Sequence, residues 1–143
     1  MVDRGIHEQD HDRILVVEDE DGLRRIVAKN LRSRGYWVDE ADSVDAAEAA
    51  IEHAAPCLIL LDIDLPDRTG WDVLRTLRLA EKHPAVVLVT ATTVHEERLR
   101  QFEPEAVLTK PFPMDALLRL AGRYCRPMES DPAEPAPRER SDR

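Results

Sequence analysis

Carboxylates stand at the end of two short apolar segments of this 143-residue chain. Glu18 and Asp19 follow an aliphatic run at 14–17, and Asp62 follows four apolar residues at 58–61. An unpaired carboxylate beside such residues is costly to desolvate, so Asp62 requires a partner. Three carboxylates brought together would repel one another unless a cation lay among them. Oxygen ligands of this kind suit Mg²⁺ or Mn²⁺.

A hydroxyl and an ammonium follow two further apolar segments. Thr90 comes after the run at 86–89, and Lys110 comes shortly after the run at 106–108. Taken singly, such residues are ordinary: a threonine often caps a turn, and Glu20 and Asp21 are typical first-turn residues of a helix. Together they indicate phosphoryl chemistry, because a carboxylate can accept a phosphoryl group that a metal, a hydroxyl and an ammonium neutralise.

The hydrophobic pattern predicts the elements that must position these groups. Short β-branched runs alternate five times with segments whose apolar residues recur at helical spacing. The predicted strands are 14–17, 36–38, 58–61, 86–89 and 106–108, and a helix follows each of them. This alternation predicts an α/β fold with one (βα)5 doubly wound, parallel five-stranded sheet. Ligands of such sheets bind at the carboxyl ends of the strands, where all the polar groups above fall.

Length and composition narrow the function classes. The chain is one domain long, and its 29 acidic against 20 basic residues give a formal net charge of −9. This balance argues against binding of nucleic acid or anionic membranes. Cys57 and Cys125 cannot form a disulfide framework or a C-x-x-C zinc site. Without a signal peptide or a long apolar segment, we expect a reduced, cytoplasmic protein.

The two ends differ in composition from the middle of the chain. Residues 1–11 are rich in charge, and residues 126–143 are rich in proline and charge with almost no large apolar residue. Such segments bury too little apolar surface to offset the entropy of ordering them. We therefore expect a disordered segment at 1–11, a folded domain at 12–125, and a disordered tail or linker at 126–143.

Four motifs, in this order, resemble those of receiver domains of two-component response regulators. They are Ile-Leu-Val-Val-Glu-Asp-Glu at 14–20, Leu-Leu-Asp-Ile-Asp-Leu-Pro at 60–66 with Gly70, Val-Thr-Ala at 89–91 and Leu-Thr-Lys-Pro-Phe at 108–112. The resemblance covers about the whole of 12–125 and implies a flavodoxin-like receiver fold. It also implies a signalling domain rather than an enzyme, with only self-catalysed phosphoryl transfer and dephosphorylation.

The resemblance implies a role for each site residue. Asp62 would be the phosphorylated nucleophile, and Thr90 and Lys110 would bind the phosphoryl group. Mg²⁺ or Mn²⁺ would be bound by Asp62 and directly by Asp19, with Glu18 acting largely through water and the backbone carbonyl of Asp64 completing the set. The Lys110–Pro111 bond would be cis.

Partners and output are implied in the same way. The phosphodonor would be a histidine kinase or a phosphotransfer protein. The domain would then signal through a conformational switch to an effector or an appended output domain, and neither nucleic acid nor a membrane would be a direct partner of the domain itself.

The sequence departs from the family pattern at three places. Val107 stands where an aromatic switch residue is common, and the stretch between Thr90 and Lys110 is about two residues shorter than usual, with Glu-Pro-Glu at 103–105 replacing a glycine-bearing turn. Asp64 adds an acidic side chain near the arriving phosphoryl group. We therefore expect phosphorylation to reposition or order residues 92–105, with Val107 nearly passive.

Two other functions share part of this pattern. A degenerate receiver that only binds other proteins would be consistent with the unusual residue Val107. The complete set of Asp19, Asp62, Thr90 and Lys110 disfavours this alternative. A phosphatase resembling haloacid dehalogenases would share the Asp62-x-Asp64 pattern, but its metal-binding acidic pair should follow that pattern rather than precede it.

Overall fold

The computed structural model describes residues 13–127, in which five strands alternate with five helices. In chain order these are β1 (Arg13–Val17), α1 (Asp21–Ser33), β2 (Trp37–Ala41), α2 (Val44–His53), β3 (Leu58–Asp62), α3 (Trp71–Leu79), β4 (Ala85–Thr90), α4 (Glu96–Phe102), β5 (Ala106–Thr109) and α5 (Met114–Tyr124). The segments expected to be disordered, 1–11 and all of 126–143 beyond Pro127, lie outside the described residues.

The strands form one parallel sheet in the order β2-β1-β3-β4-β5. The chain leaves β1 for one edge strand and returns on its other side as β3, so the winding direction reverses between β1 and β3. Val17 is in register with Leu61, and Thr90 with Thr109. The residues that follow these strands therefore meet at one edge of the sheet.

Helices cover both faces of the sheet, as predicted. Alternate residues of β1 and β3 point into two separate apolar clusters, one under α1 and α5 and one under α2 and α3. All five residues of β3 are buried, because this central strand is covered on both faces. The predicted five-stranded α/β fold is confirmed.

The helix boundaries follow local chemistry. Ser43 caps α2 by accepting a hydrogen bond from the Ala46 N–H at 3.1 Å. Gly35, two residues after the end of α1, has a φ of 97°, a conformation that favours glycine. The buried face of α1 is formed by Val27, Ala28 and Leu31, and Ile26 is 48% exposed.

The expectation of reduced cysteines is wrong for this structure. A disulfide joins Cys57, just before β3, to Cys125, the residue after α5, with 5.9 Å between their Cα atoms. The pair is separated by 68 residues in the chain. Only the packing of α5 beside the start of β3 brings the two sulfurs together, so their spacing in the sequence did not indicate it.

Among the helices of residues 13–127, none is long and apolar enough to cross a bilayer.

Candidate functional site

Three carboxylates converge at the carboxyl edge of the sheet. Glu18 follows β1 and is 4% exposed, Asp62 ends β3 and is 3% exposed, and Asp19 is open to solvent. One oxygen from each carboxylate lies within 4.8 Å of the others. The sequence predicted this grouping, and it arises because β1 and β3 are neighbours in the sheet.

Lys110 lies against two of these carboxylates. Its Nζ is 3.0 Å from Glu18 Oε1 and 3.1 Å from Asp62 Oδ2. Its backbone N–H donates to the Thr90 carbonyl at 2.8 Å, which ties the Lys110 backbone to the end of β4. The Lys110–Pro111 peptide bond is cis, as the resemblance implied.

The charges and donor atoms of the site fit a divalent cation. Three carboxylates and one ammonium leave two negative charges together, which one divalent ion would neutralise. The donors are all oxygens and one of the three carboxylates is open to solvent, which suits a Mg²⁺ ion that retains part of its water shell. Glu18, Asp19 and Asp62 are the residues that would hold it.

The pKa values of the buried groups reflect this crowding. Burial raises the pKa of Glu18 above 4.5, and the charge of Asp62 adds to the rise, while hydrogen bonds from Lys110 and the Glu20 N–H oppose it. Burial lowers the pKa of Lys110, but its hydrogen bonds to Glu18 and Asp62 outweigh burial and raise the pKa above 10.5. Lys110 is therefore held in its charged form beside the two buried carboxylates.

The loop after β3 fixes the Asp62 side chain. The N–H of Asp64 donates to Asp62 Oδ1 at 3.0 Å, so both carboxylate oxygens of Asp62 are hydrogen-bonded. Gly70 packs so closely beneath the loop that a Cβ atom there would lie 2.6 Å from the Asp62 carbonyl oxygen. Glycine at this position is required by the close approach of the two backbones.

Thr90 reaches the same edge, but its hydroxyl is engaged elsewhere. The side chain is 1% exposed, and its Oγ1 accepts a hydrogen bond from the Thr92 N–H at 3.0 Å. Oγ1 also lies 3.2 Å from the Thr92 carbonyl and from Thr92 Oγ1. A local turn therefore holds the hydroxyl at the start of the 91–95 loop.

Three further residues around the site are not predicted by any sequence pattern. Arg24 donates to the Glu18 carbonyl at 3.1 Å and pairs with Glu40, and so joins α1 to β2 behind the acidic cluster. Asp67 and Arg68, in the loop after β3, bind α2. No sequence pattern indicated these contacts, because the pairing of Arg24 with Glu40 and the contacts of Asp67 and Arg68 with α2 join residues from different βα units.

The segment between Thr90 and Lys110 has few buried residues. Helix α4 has seven residues and none of them is buried, and Glu103, the residue directly after it, has a φ of 50°. Phe102 attaches the end of this helix to α3 by stacking on Trp71, with ring centroids 5.3 Å apart. Val107 is 38% exposed on β5.

Comparison with known sequences identifies one family. A family model described as "Response regulator receiver domain" matches residues 14–121. The chain is 39% identical over 108 residues to the probable transcriptional regulatory protein SilR of Salmonella typhimurium, covering 74% of this chain and 47% of SilR. It is 38% identical over 108 residues to the transcriptional regulatory protein CusR of Escherichia coli K12, covering 74% and 48%. The chain thus spans about half the length of these curated relatives.

Solved structures give the same result. The receiver domain of HemR from Leptospira biflexa is 31% identical with a TM-score of 0.72, covering 83% of this chain and 98% of that one. The response regulator TrrA from Thermotoga maritima, solved in complex with Mg²⁺-BeF, is 27% identical with a TM-score of 0.70, covering 79% and 98%.

Proposed function

Because the chain belongs to the response regulator receiver domain family, we propose that it accepts a phosphoryl group on the Asp62 carboxylate with the help of a bound divalent cation. The observation that carries this proposal is the placement of Lys110 Nζ within 3.1 Å of both Glu18 and Asp62 at the strand ends. A buried nucleophilic carboxylate, an acidic cation site and a positive charge are thereby combined in one place.

The chain's own residues supply most of the reaction. A carboxylate oxygen of Asp62 attacks the phosphorus atom, an acyl phosphate bond forms, and the bond between phosphorus and the donor atom breaks, with its electron pair leaving on the donor. Lys110 then forms an ion pair with phosphoryl oxygens instead of with the Asp62 carboxylate. The Thr90 hydroxyl, released from Thr92, donates to another of these oxygens.

The cation would be bound by the carboxylates of Glu18, Asp19 and Asp62 and by the backbone carbonyl of Asp64. When bound, Mg²⁺ or Mn²⁺ neutralises charge that accumulates on the transferred group. The solved relative in complex with Mg²⁺-BeF supports this assignment.

The proposed partners follow from the same chemistry. A histidine kinase or a phosphotransfer protein supplies the phosphoryl group, and an effector or an output domain receives the signal. The domain is a signalling module whose only catalysis is its own phosphorylation and dephosphorylation. The relatives named as transcriptional regulators are about twice as long as the matched region, which supports an output domain outside it.

Domain limits and cellular location are also proposals. A folded unit at 12–125 is supported by the family match at 14–121. A cytoplasmic location is supported by the expected kinase partner, whereas the Cys57–Cys125 disulfide weighs against a permanently reducing surrounding.

The direct test is phosphorylation by acetyl phosphate, a small acyl phosphate donor, followed by intact mass. We expect the mass of one phosphoryl group to appear only with Mg²⁺ or Mn²⁺, and Asp62→Asn to abolish it because an amide is not a nucleophile here. Glu52→Gln, an exposed carboxylate near the far end of α2, is the matched control and should be phosphorylated normally. Undiminished phosphorylation of Asp62→Asn would contradict the assignment.

A further inference from the structure

The loop at 63–70 carries the Asp64 carbonyl and is closed at its base. The Gly70 N–H donates to the Ile63 carbonyl at 2.8 Å, and Asp64 forms an antiparallel bridge with Thr69. Gly70 packs directly on the Asp62 backbone. These contacts fix the base of the loop to β3, but the Asp64 carbonyl belongs to the peptide unit that leads into the tip at 65–68, and they do not fix the position of that tip.

The tip has little apolar surface to hold it. Leu65 is half-buried against the apolar cluster under α2 and α3, while Asp64 and residues 66–69 are exposed. Segments with so few buried apolar contacts shift at low free-energy cost unless polar contacts restrain them.

Asp67 restrains the tip of the loop by binding to a different element, helix α2. Its Oδ1 accepts a hydrogen bond from the Val44 N–H and its Oδ2 one from the Asp45 N–H, both at 3.0 Å. These N–H groups belong to the first turn of α2, where backbone donors lack partners within the helix and the helix dipole favours negative charge. These hydrogen bonds lower the pKa of Asp67 below 3.8.

Arg68 adds a second contact between the tip and α2. Its Nη2 lies 2.9 Å from Asp45 Oδ1 and 3.0 Å from Glu48 Oε1. Glu48 in turn accepts a hydrogen bond from Thr76 of α3 at 2.6 Å. Exposed ion pairs are weak singly, so the two-oxygen contact of Asp67 with the helix terminus is the stronger member.

We propose that Asp67, assisted by Arg68, is a positioning residue that holds the 63–70 loop against α2 so that the Asp64 carbonyl is preorganised for the divalent cation. This inference rests on the proposed function, because it concerns the same cation site. Asp67 acts through the loop backbone and touches neither the cation nor the phosphoryl group.

Calorimetric titration with Mg²⁺ tests the inference with three variants. Asp67→Ala should raise the Mg²⁺ dissociation constant about 10-fold, a loss typical of residues that orient metal ligands. Asp67→Asn, which keeps one acceptor oxygen without the charge, should give a smaller rise. Ser43→Ala is the matched control, because it removes the other side-chain cap of α2 without touching the loop, and it should leave the dissociation constant unchanged.

Phosphorylation by acetyl phosphate supplies a second readout. The rate of Asp67→Ala should fall at low Mg²⁺ and return to the wild-type rate at saturating Mg²⁺, because only the metal ligand is displaced. A rate that stays low at saturating Mg²⁺ would overturn the inference, as would equal Mg²⁺ affinities of Asp67→Ala and Ser43→Ala.

The same measurements separate the two proposals. Wild-type protein that neither binds Mg²⁺ nor becomes phosphorylated contradicts the proposed function itself. Wild-type protein that does both, while Asp67→Ala binds Mg²⁺ as tightly, contradicts only the role of Asp67.

Discussion

At the scale of single residues, Lys110 is the positive charge that makes the buried acidic pair tolerable. It contacts Glu18 and Asp62, which are almost fully buried, and keeps about a fifth of its own side-chain exposure. Removing one partner of a buried ion pair leaves uncompensated charge, which costs more than the pair itself contributes. The stability of the site and its chemistry therefore depend on the same side chain.

We expect Lys110→Met to destabilise the cation-free protein at pH 7 by about 1–3 kcal/mol, less than the roughly 3–5 kcal/mol for fully buried pairs. The pKa of Glu18 is higher in the folded protein than the unfolded value of 4.5, so binding of its proton stabilises the folded state. This stabilisation is complete below the unfolded pKa and is lost as the pH rises through the folded pKa. The loss in Lys110→Met should therefore shrink as the pH falls from 7 toward 4.5. Urea unfolding of both proteins between pH 7 and 4.5 measures this loss of stability. A loss that does not change with pH would contradict the role given to Glu18.

Asp19 should control the response to the cation. Mg²⁺ binds only the folded site, so about 100 times its dissociation constant should stabilise the protein by roughly 2.7 kcal/mol. Asp19→Ala should abolish the rise in Tm, because it removes the solvent-accessible ligand. Thermal unfolding with and without Mg²⁺ measures the change in Tm. A wild-type Tm that does not change in millimolar Mg²⁺ would refute the cation site.

At the scale of elements, α4 is the helix that is held least firmly to the sheet by packing. None of its residues is buried, and its main apolar attachment is the stack of Phe102 on Trp71. The Thr90 hydroxyl, at the start of the same connection, is bonded to Thr92. Movement of this hydroxyl toward a phosphoryl group would break that turn and change the path of the chain into α4.

We expect beryllofluoride, an acyl phosphate mimic, to change hydrogen exchange mainly in residues 92–105. Val107 is small and stiff at its single side-chain torsion, so Val107→Ala should leave this response unchanged. Hydrogen exchange with and without beryllofluoride and Mg²⁺ provides the measurement. Changes confined to α1 or α2, with 92–105 unaffected, would show that the signal leaves the domain by another route.

At the scale of the whole molecule, the disulfide joins the last helix to the start of the central strand. It closes a loop of 68 residues, which restricts the unfolded chain far more than the folded one. Reduction should lower the free energy of unfolding by about 2–4 kcal/mol. Urea unfolding with and without dithiothreitol measures the change, and Cys57→Ser should be insensitive to dithiothreitol. Equal stability of oxidised and reduced wild-type protein would contradict this expectation.

Hydrophobic periodicity alone was sufficient to predict the five βα units, because strands buried on both faces read as aliphatic runs and helices repeat at their own spacing. Because ligands of parallel sheets bind at the carboxyl ends of the strands, the sequence alone also predicts that Glu18, Asp62 and Lys110 lie together. The spacing of these residues along the chain reflects the lengths of local units, which the sequence encodes directly.

Contacts between different units were decided only by the tertiary structure. The capping of α2 by Asp67 and the pairing of Cys57 with Cys125 join residues 22 or more positions apart. Such contacts depend on how helices pack across the sheet, and a local pattern of residue types does not record that packing.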